Sequence, residues 1–133
     1  MVSNTQKTKI SKAIIDFFDA WKAGDYKEMV EASQQSFIES VNKNHVEYMQ
    51  DRFDFKKLKS YEIKCIKNET IRLNKFMKSQ NVKKRFQGIF TVKVDVKYDV
   101  EGVFYSGSVP VNVISEKFIM KVNPTSVLRR VSQ

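Results

Sequence analysis

Residues 85–114, from Arg85 to Ile114, read RFQGIFTVKVDVKYDVEGVFYSGSVPVNVI. Phe90, Val92, Val94, Val96 and Tyr98 alternate there with Thr91, Lys93, Asp95 and Lys97. A period of two sends the two sets to opposite faces of a strand, one apolar and one wet. Asp99–Gly102 supplies a turn, and the β-rich run Val103–Ile114 comes back beside it. The expectation is a long antiparallel hairpin with one apolar side. Its inward set is Phe90, Val92, Val94 and Val96, with Val103, Tyr105, Val109 and Val111 opposite. Gly88 and Gly107 sit inside strand patterns and suggest bends or bulges, and Pro110, lacking a ladder donor, favours an edge or a bulge.

The segments upstream have the pattern needed to cover that side. Ile10, Ala13, Ile14, Phe17, Phe18 and Trp21 form one stripe at helical period, after a frayed start over residues 1–7. Gly24 fits a left-handed helix end. Asp25 and Glu28 then have the form of a capping box for a second, shorter helix with Tyr26, Met29, Val30 and Ser33 inward. Residues 34–42 read as a linker anchored by Phe37, Ile38 and Val41, and Asn44–Glu47 caps a third helix with Val46, Met49 and Phe53 on one stripe.

From Tyr61 the period becomes two: Tyr61, Ile63 and Cys65 alternate with Glu62 and Lys64. Ile66, Ile71 and Leu73 break that parity, which calls for a bulge near Cys65–Ile66 or a turn at Lys67–Glu69. Residues 74–84 are polar and read as a loop or a ragged strand end. A last strand, Lys117–Val122, places Phe118, Met120 and Val122 on one side and is stopped by Asn123-Pro124. The tail Val127–Val131 either extends the sheet or packs beneath a helix. Helices first and about four antiparallel strands after them make an α+β fold, with the N-terminal helices on one face of a curled sheet. Residues 1–133 form one domain, without repeats or a linker.

A chain of 133 residues with 41% hydrophobic and 12% aromatic content can build one core. No apolar run reaches the roughly 18–20 residues of a membrane span. The start, MVSNTQKTKISK, does not read as a signal peptide. A cytoplasmic location is the default expectation, and an extracytoplasmic one stays open if a leader has been removed. The single cysteine, Cys65, allows no intrachain disulfide and is expected as a buried thiol. With His45 as the one histidine, no metal site and no cofactor are expected.

The stretch AIIDFFDAWKAGDYKEMVEAS at 13–33 has a long amphipathic helix with a late Trp, a Gly-Asp corner and a short helix. With FKKLKSYEIK at 55–64 and the closing KFIMKVNPTSVLRRV, it resembles the NTF2-like (cystatin-like) superfamily. It is most similar to the NTF2-like domains of penicillin-binding transpeptidases, small lipoproteins and secretion proteins. The resemblance implies a cone whose concave sheet face and first helix enclose a pocket. Enzymes of the superfamily, such as those like ketosteroid isomerase, place Asp, Tyr or His in that pocket. Here the inward face carries no carboxylate, and Tyr26, Tyr98 and Tyr105 are its polar-tipped candidates.

Three functions follow as expectations. The first is a non-catalytic binding domain for a protein partner or a small apolar ligand. Its pocket would lie between Phe17, Phe18 and Trp21 of the first helix and Phe90, Val92, Tyr98 and Tyr105 of the hairpin. If the aromatic side chains fill that space, the domain is an interaction scaffold. The second uses the net charge of +9 to bind a nucleic acid or another polyanion through Lys56, Lys57 and Lys59, Lys83, Lys84 and Arg85, and Arg129 and Arg130. The third, an isomerase-like enzyme, requires a buried ionisable group in the cone. Homodimerisation is expected through the outer sheet face, where Phe104, Ile114 and Ile119 interrupt Thr91, Lys93, Asp95 and Lys97.

Overall fold

The computed structural model describes residues 2–131, with side chains through Leu128. The order is α1 (Asn4–Ala23), α2 (Tyr26–Glu31), α3 (Gln35–Ser40), α4 (His45–Phe53), β1 (Lys57–Asn68), α5 (Thr70–Ser79), β2 (Gly88–Val100), β3 (Val103–Glu116), β4 (Ile119–Val122) and α6 (Pro124–Val131). The fold is α+β, and the strands form one open antiparallel sheet in the order β1-β2-β3-β4.

The alternation in β2 and β3 sets the register without a slip: Phe90 faces Val113, Val92 faces Val111, Val94 faces Val109 and Tyr98 faces Tyr105. Glu101 and Gly102 close the hairpin at φ 52° and 85°, the left-handed pair that a two-residue connection needs. The Gly102 N–H also donates to Asp99 Oδ1 at 2.7 Å. The inner face is roofed by α1, which touches β1, β3 and β4 and buries Ile10, Ala13, Ile14, Phe17, Phe18, Ala20 and Trp21. Phe53 of α4 meets Phe17 and Trp21 edge-on, with ring centroids 5.8 and 5.1 Å apart. The Trp21 indole N–H donates to the Lys56 carbonyl at 2.8 Å, so its polar edge is satisfied inside the core.

Several boundaries differ from the sequence expectation. Residues 4–7 are helical, not frayed, because Ser3 and Gln6 form a capping box that starts α1 there. The supposed linker 34–42 contains α3, and residues 70–79, read as strand end and loop, form α5. That helix buries no residue fully, so its apolar spacing was too thin to read against the strand before it. The bulge in β1 falls between Ile63 and Cys65. It carries Cys65 out of the apolar row, and the thiol is exposed rather than buried. Phe118 is not an inward strand residue: it shares a left-handed two-residue turn with Lys117 and is 87% exposed. The tail forms α6, started by Pro124 and packed on β3 with Val127 buried.

Candidate functional site

The expected pocket between α1 and the hairpin is filled. Phe17, Phe18, Trp21, Phe90 and Val92 belong to one buried cluster, and Phe18 packs on both Trp21 and Tyr61. Tyr98 is buried and stacks on Tyr105 with centroids 5.4 Å apart, while Tyr105 itself is half exposed at the hairpin tip. Tyr26 is committed elsewhere, donating to Asp54 at 2.7 Å. Burial, followed by that bond and the Asp54 charge, pushes its phenol pKa well up. Tyr61 donates likewise to Asp19 of α1 at 2.7 Å and is pushed up for the same kind of reason, burial first. Among the described residues, the buried charged side chains are Lys56 and Glu69. Glu69 lies at the start of α5 and pairs with Arg72 and with Lys67, the latter at 3.4 Å. Burial raises its carboxyl, but those two cations outweigh it and hold the pKa below the ordinary range. Among the described residues, no three of His, Cys, Asp and Glu gather where they could hold a metal ion.

Among the described residues two spaces stay open: a shallow polar one of about 660 Å³ over Ser60–Glu62, Asp95–Lys97 and Ser106–Ser108, and one with more apolar walls at the opposite end of the hairpin from its turn. Residues 32–34, between α2 and α3, run beside β4: the Gln34 N–H donates to the Val122 carbonyl at 2.8 Å and the Val122 N–H to the Ala32 carbonyl at 3.2 Å. This brings α3 against the β3–β4 turn, and the segment 84–87 closes the third side. A cavity of about 630 Å³ lies between them. Val30, Ile38, Phe86, Ile114 and Ile119 give it apolar walls, and Lys84, Arg85, Lys117 and Lys121 set four cations around it against the three carboxylates of Glu31, Glu39 and Glu116.

One carboxylate organises this cavity. Glu116, at the end of β3, accepts from Gln34 Nε2 and from Ser36 Oγ, the latter at 2.7 Å, and Lys84 Nζ stands 3.7 Å away. Lys84 also donates to Ser36 Oγ and lies 5.1 Å above the Phe86 ring. Burial raises the Glu116 pKa, but the bonds from Gln34 and Ser36 and the Lys84 charge together bring it below the ordinary value. The clasp thus ties α3, the 84–87 segment and β3 together. Phe118 donates its N–H to Gln87 Oε1 at 2.7 Å, which locks the turn to the same segment.

The expected basic clusters do not converge. Lys57 faces Asp99 near the hairpin tip, whereas Gly88, just after Lys83, Lys84 and Arg85, faces Ser115. Eleven residues of β2 separate those points, about 36 Å at ~3.3 Å per residue. Lys56 leaves the polyanion set altogether: it is 3% exposed, its Nζ lies 4.6 Å from the Phe55 ring centre, and burial lowers its pKa. Lys57 pairs with Asp54 at 3.0 Å, and Lys59 and Lys83 are exposed. Arg129 and Arg130 lie on α6, and their side chains fall outside the described ones. Lys117 and Lys121 do join Lys84 and Arg85, and in the sequence strand alternation alone accounts for them.

The outer sheet face is polar along its middle. Lys64 pairs with Glu62 at 3.2 Å and with Asp95 at 3.8 Å, and Ser108 donates to Asp95 at 2.5 Å. Phe104 and Ile119 sit at opposite ends of the hairpin and Ile114 is buried, so the three make no continuous apolar patch. Among the described residues, no helix is long and apolar enough to cross a membrane. Compared with protein-family models the chain matches none, and no curated protein matches it in sequence.

Proposed function

We propose that the chain is a non-catalytic binding domain of NTF2-like type, whose ligand has an apolar body and an anionic end. The observation that carries this is the cavity beside Glu116. Its volume of about 630 Å³ is that of a small-molecule site. Apolar walls would take the body of the ligand, and its charge would fall to Lys84, Arg85, Lys117 and Lys121, which outnumber the lining carboxylates Glu31, Glu39 and Glu116 by one. The helices-then-meander order supports the NTF2-like assignment, with the binding space moved from the core of the cone to the β4 side. The strained turn supports a binding role as well. Lys117 and Phe118 hold φ of 50° and 67°, where glycine or asparagine is usual, and such conformations gather at ligand-binding sites.

Isothermal titration with decanoate and with decylamine tests the proposal. Decanoate is expected to bind, decylamine at least tenfold more weakly, and the double variant Lys84→Ala, Arg85→Ala to lose most of the decanoate affinity. Equal affinity for the two amphiphiles, or no binding by either, refutes it. A second reading, polyanion binding, is favoured by the same four cations meeting at one mouth. It requires that affinity for a single-stranded oligonucleotide fall steeply with salt. Salt-independent or undetectable binding removes it.

A further inference from the structure

Helix α5 and the segment after it are strongly basic. Residues 70–86, TIRLNKFMKSQNVKKRF, hold six of the chain's 24 Lys and Arg and no carboxylate. One side of the helix is fastened down. Asn74 donates to the Phe86 carbonyl at 3.0 Å and accepts from the Phe86 N–H at 3.2 Å. Thr70 Oγ1 accepts from the Ile89 N–H at 3.0 Å. Thr70, Leu73, Asn74 and Met77, at i, i+3, i+4 and i+7, are accordingly half-buried, with β2 beneath them.

The other side faces out, and it is not the wholly polar face of a solvated surface helix. Ile71 is 76% exposed and Phe76 59%, and Val82, just past the helix, is 42% exposed. Lys75 and Lys78 flank Ile71 at i+4 and i+7, and Arg72 precedes Phe76 by one turn. Of the six cations, Arg72 meets Glu69 and Lys84 meets Glu116. Arg85 donates to the Val82 and Lys84 carbonyls, which are neutral. Lys75, Lys78 and Lys83 pair with no carboxylate among the described residues. Four positive charges therefore stand unneutralised beside three exposed apolar side chains. The β3–β4 turn lies at the same end of the sheet: Phe118, tied to Gln87 by its N–H, is almost fully exposed beside Lys117.

We propose that α5 and residues 80–85 seat the protein on the surface of an anionic lipid bilayer. Ile71, Phe76 and Val82 enter the headgroup layer, and Lys75, Lys78, Lys83 and Arg85 meet the lipid phosphates. The charge of the face selects an anionic partner, and its apolar side chains select a bilayer among anionic partners. An interfacial helix needs both kinds of group, cations for the headgroups and apolar groups for the acyl boundary. A nucleic acid backbone would take the cations but gives an exposed isoleucine no partner. A protein groove that takes a helix grips a stripe at i, i+3, i+4 and i+7. In α5 that stripe, Thr70 to Met77, is already turned to the body of the protein. A single outward side suits a plane, and the ten residues of α5 are far too few to cross one.

Co-sedimentation of the full chain with vesicles tests this. Phosphatidylcholine vesicles are compared with vesicles carrying roughly 30% phosphatidylserine. Binding to the anionic vesicles is expected to be about tenfold tighter or more, and to weaken as salt rises. The charge-neutral double variant Ile71→Ser, Phe76→Ser is expected to weaken it about fivefold, and Lys75→Glu, Lys78→Glu about tenfold or more. Lys93→Glu, Lys97→Glu makes the same change of net charge on the outer sheet face and is expected to alter binding less than about threefold. Equal partition to both vesicle types, or none to either, overturns the proposal. So does an equal loss in the two lysine pairs, which leaves net charge as the cause. Binding that Ile71→Ser, Phe76→Ser leaves unchanged also overturns it, because the apolar groups then take no part. Binding to a single-stranded oligonucleotide that Lys75→Glu, Lys78→Glu abolishes, with none to anionic vesicles, assigns the face to nucleic acid and overturns it as well. The comparison of lipids and of salt needs no variant, so a misfolded variant leaves the test intact.

Discussion

Replacing Glu116 by glutamine removes the charge at the centre of the cavity wall and keeps its shape. In the native chain the carboxylate accepts from Gln34 and Ser36, with Lys84 3.7 Å away. Glutamine offers one carbonyl oxygen to these donors and turns its own NH₂ toward the rest. Hydrogen bonds to a charged group contribute about 1.5–3 kcal/mol each, and a buried donor left unmet costs about 1–3 kcal/mol. Glu116 keeps 20% of its side chain exposed, and water can reach part of the defect. The expected loss is therefore about 1–3 kcal/mol at pH 7, or roughly 4 °C in Tm per kcal/mol at this size. The sign of the pH dependence follows from the depressed pKa. A carboxyl held below its ordinary 4.5 contributes stability above that value and loses it as pH falls through the folded pKa. Urea unfolding followed by circular dichroism at pH 7 and at pH about 3.5 reads both effects. The difference between parent and Glu116→Gln should be full at pH 7 and shrink in acid, as the parent carboxyl takes up its proton. A deficit below about 0.5 kcal/mol at pH 7, or one equally large at both pH values, refutes the clasp.

Three further outcomes are expected. A Cβ at Gly88 would stand 2.8 Å from Phe90 Cε2 and 3.3 Å from Ser115 Cβ, so Gly88→Ala should cost about 1–3 kcal/mol by overpacking. Phe90→Leu should relieve part of that cost, and urea unfolding of the double variant should show a favourable coupling of about 1 kcal/mol; strict additivity counts against the contact. Cys65, exposed on the sheet, should react with a thiol reagent within about tenfold of its rate in urea, whereas hundredfold protection would return it to the interior. Phe118→Gly should leave stability equal or raise it by up to about 1 kcal/mol, because it relieves a left-handed φ at a site with little side chain buried. Decanoate affinity should fall in the same variant as the turn loosens; unchanged affinity separates the turn from the site.

Strand β2 and α1 were legible because each obeys a single period over nine residues or more and buries the face so marked. Phe90, Val92, Val94 and Val96 could be assigned from alternation alone, and all four are buried. The failures share a different cause. The helix α5 keeps Ile71 and Phe76 exposed at 76% and 59%, so its spacing carries no signature of a core face. Cys65 lies beside a bulge, where parity gives no guide to facing. The cavity was illegible for a further reason: Gln34, Ser36, Lys84 and Glu116 come from three distant segments, each with an ordinary local explanation. Only Lys83-Lys84-Arg85 followed by Phe86 stood out, as a basic run next to an aromatic. The residue that gathers them, Glu116, falls between the runs read as strands, Val103–Ile114 and Lys117–Val122, where no alternation marks it.

The length of the hairpin links the filled core to the uncovered turn end. The 20 residues of α1 span about 30 Å at ~1.5 Å per residue. The 13 residues of β2 span about 43 Å at ~3.3 Å per residue. A helix of that length cannot cover such a ribbon even when laid straight along it, and α1 runs across to β4 instead. At least about four residues at the end of each strand must overhang. The uncovered residues are Val103–Ser108, at the turn end, while α6 and residues 32–34 close the opposite end around Val122. Elsewhere the exposed face of the sheet carries lysine, as β1 does with Lys57, Lys64 and Lys67. Here Val103, Phe104 and Tyr105 stand in its place, and the stack of Tyr105 on Tyr98 stiffens the ribbon just where it leaves the core. The overhang is thus an extension of the sheet with its backbone groups held in order.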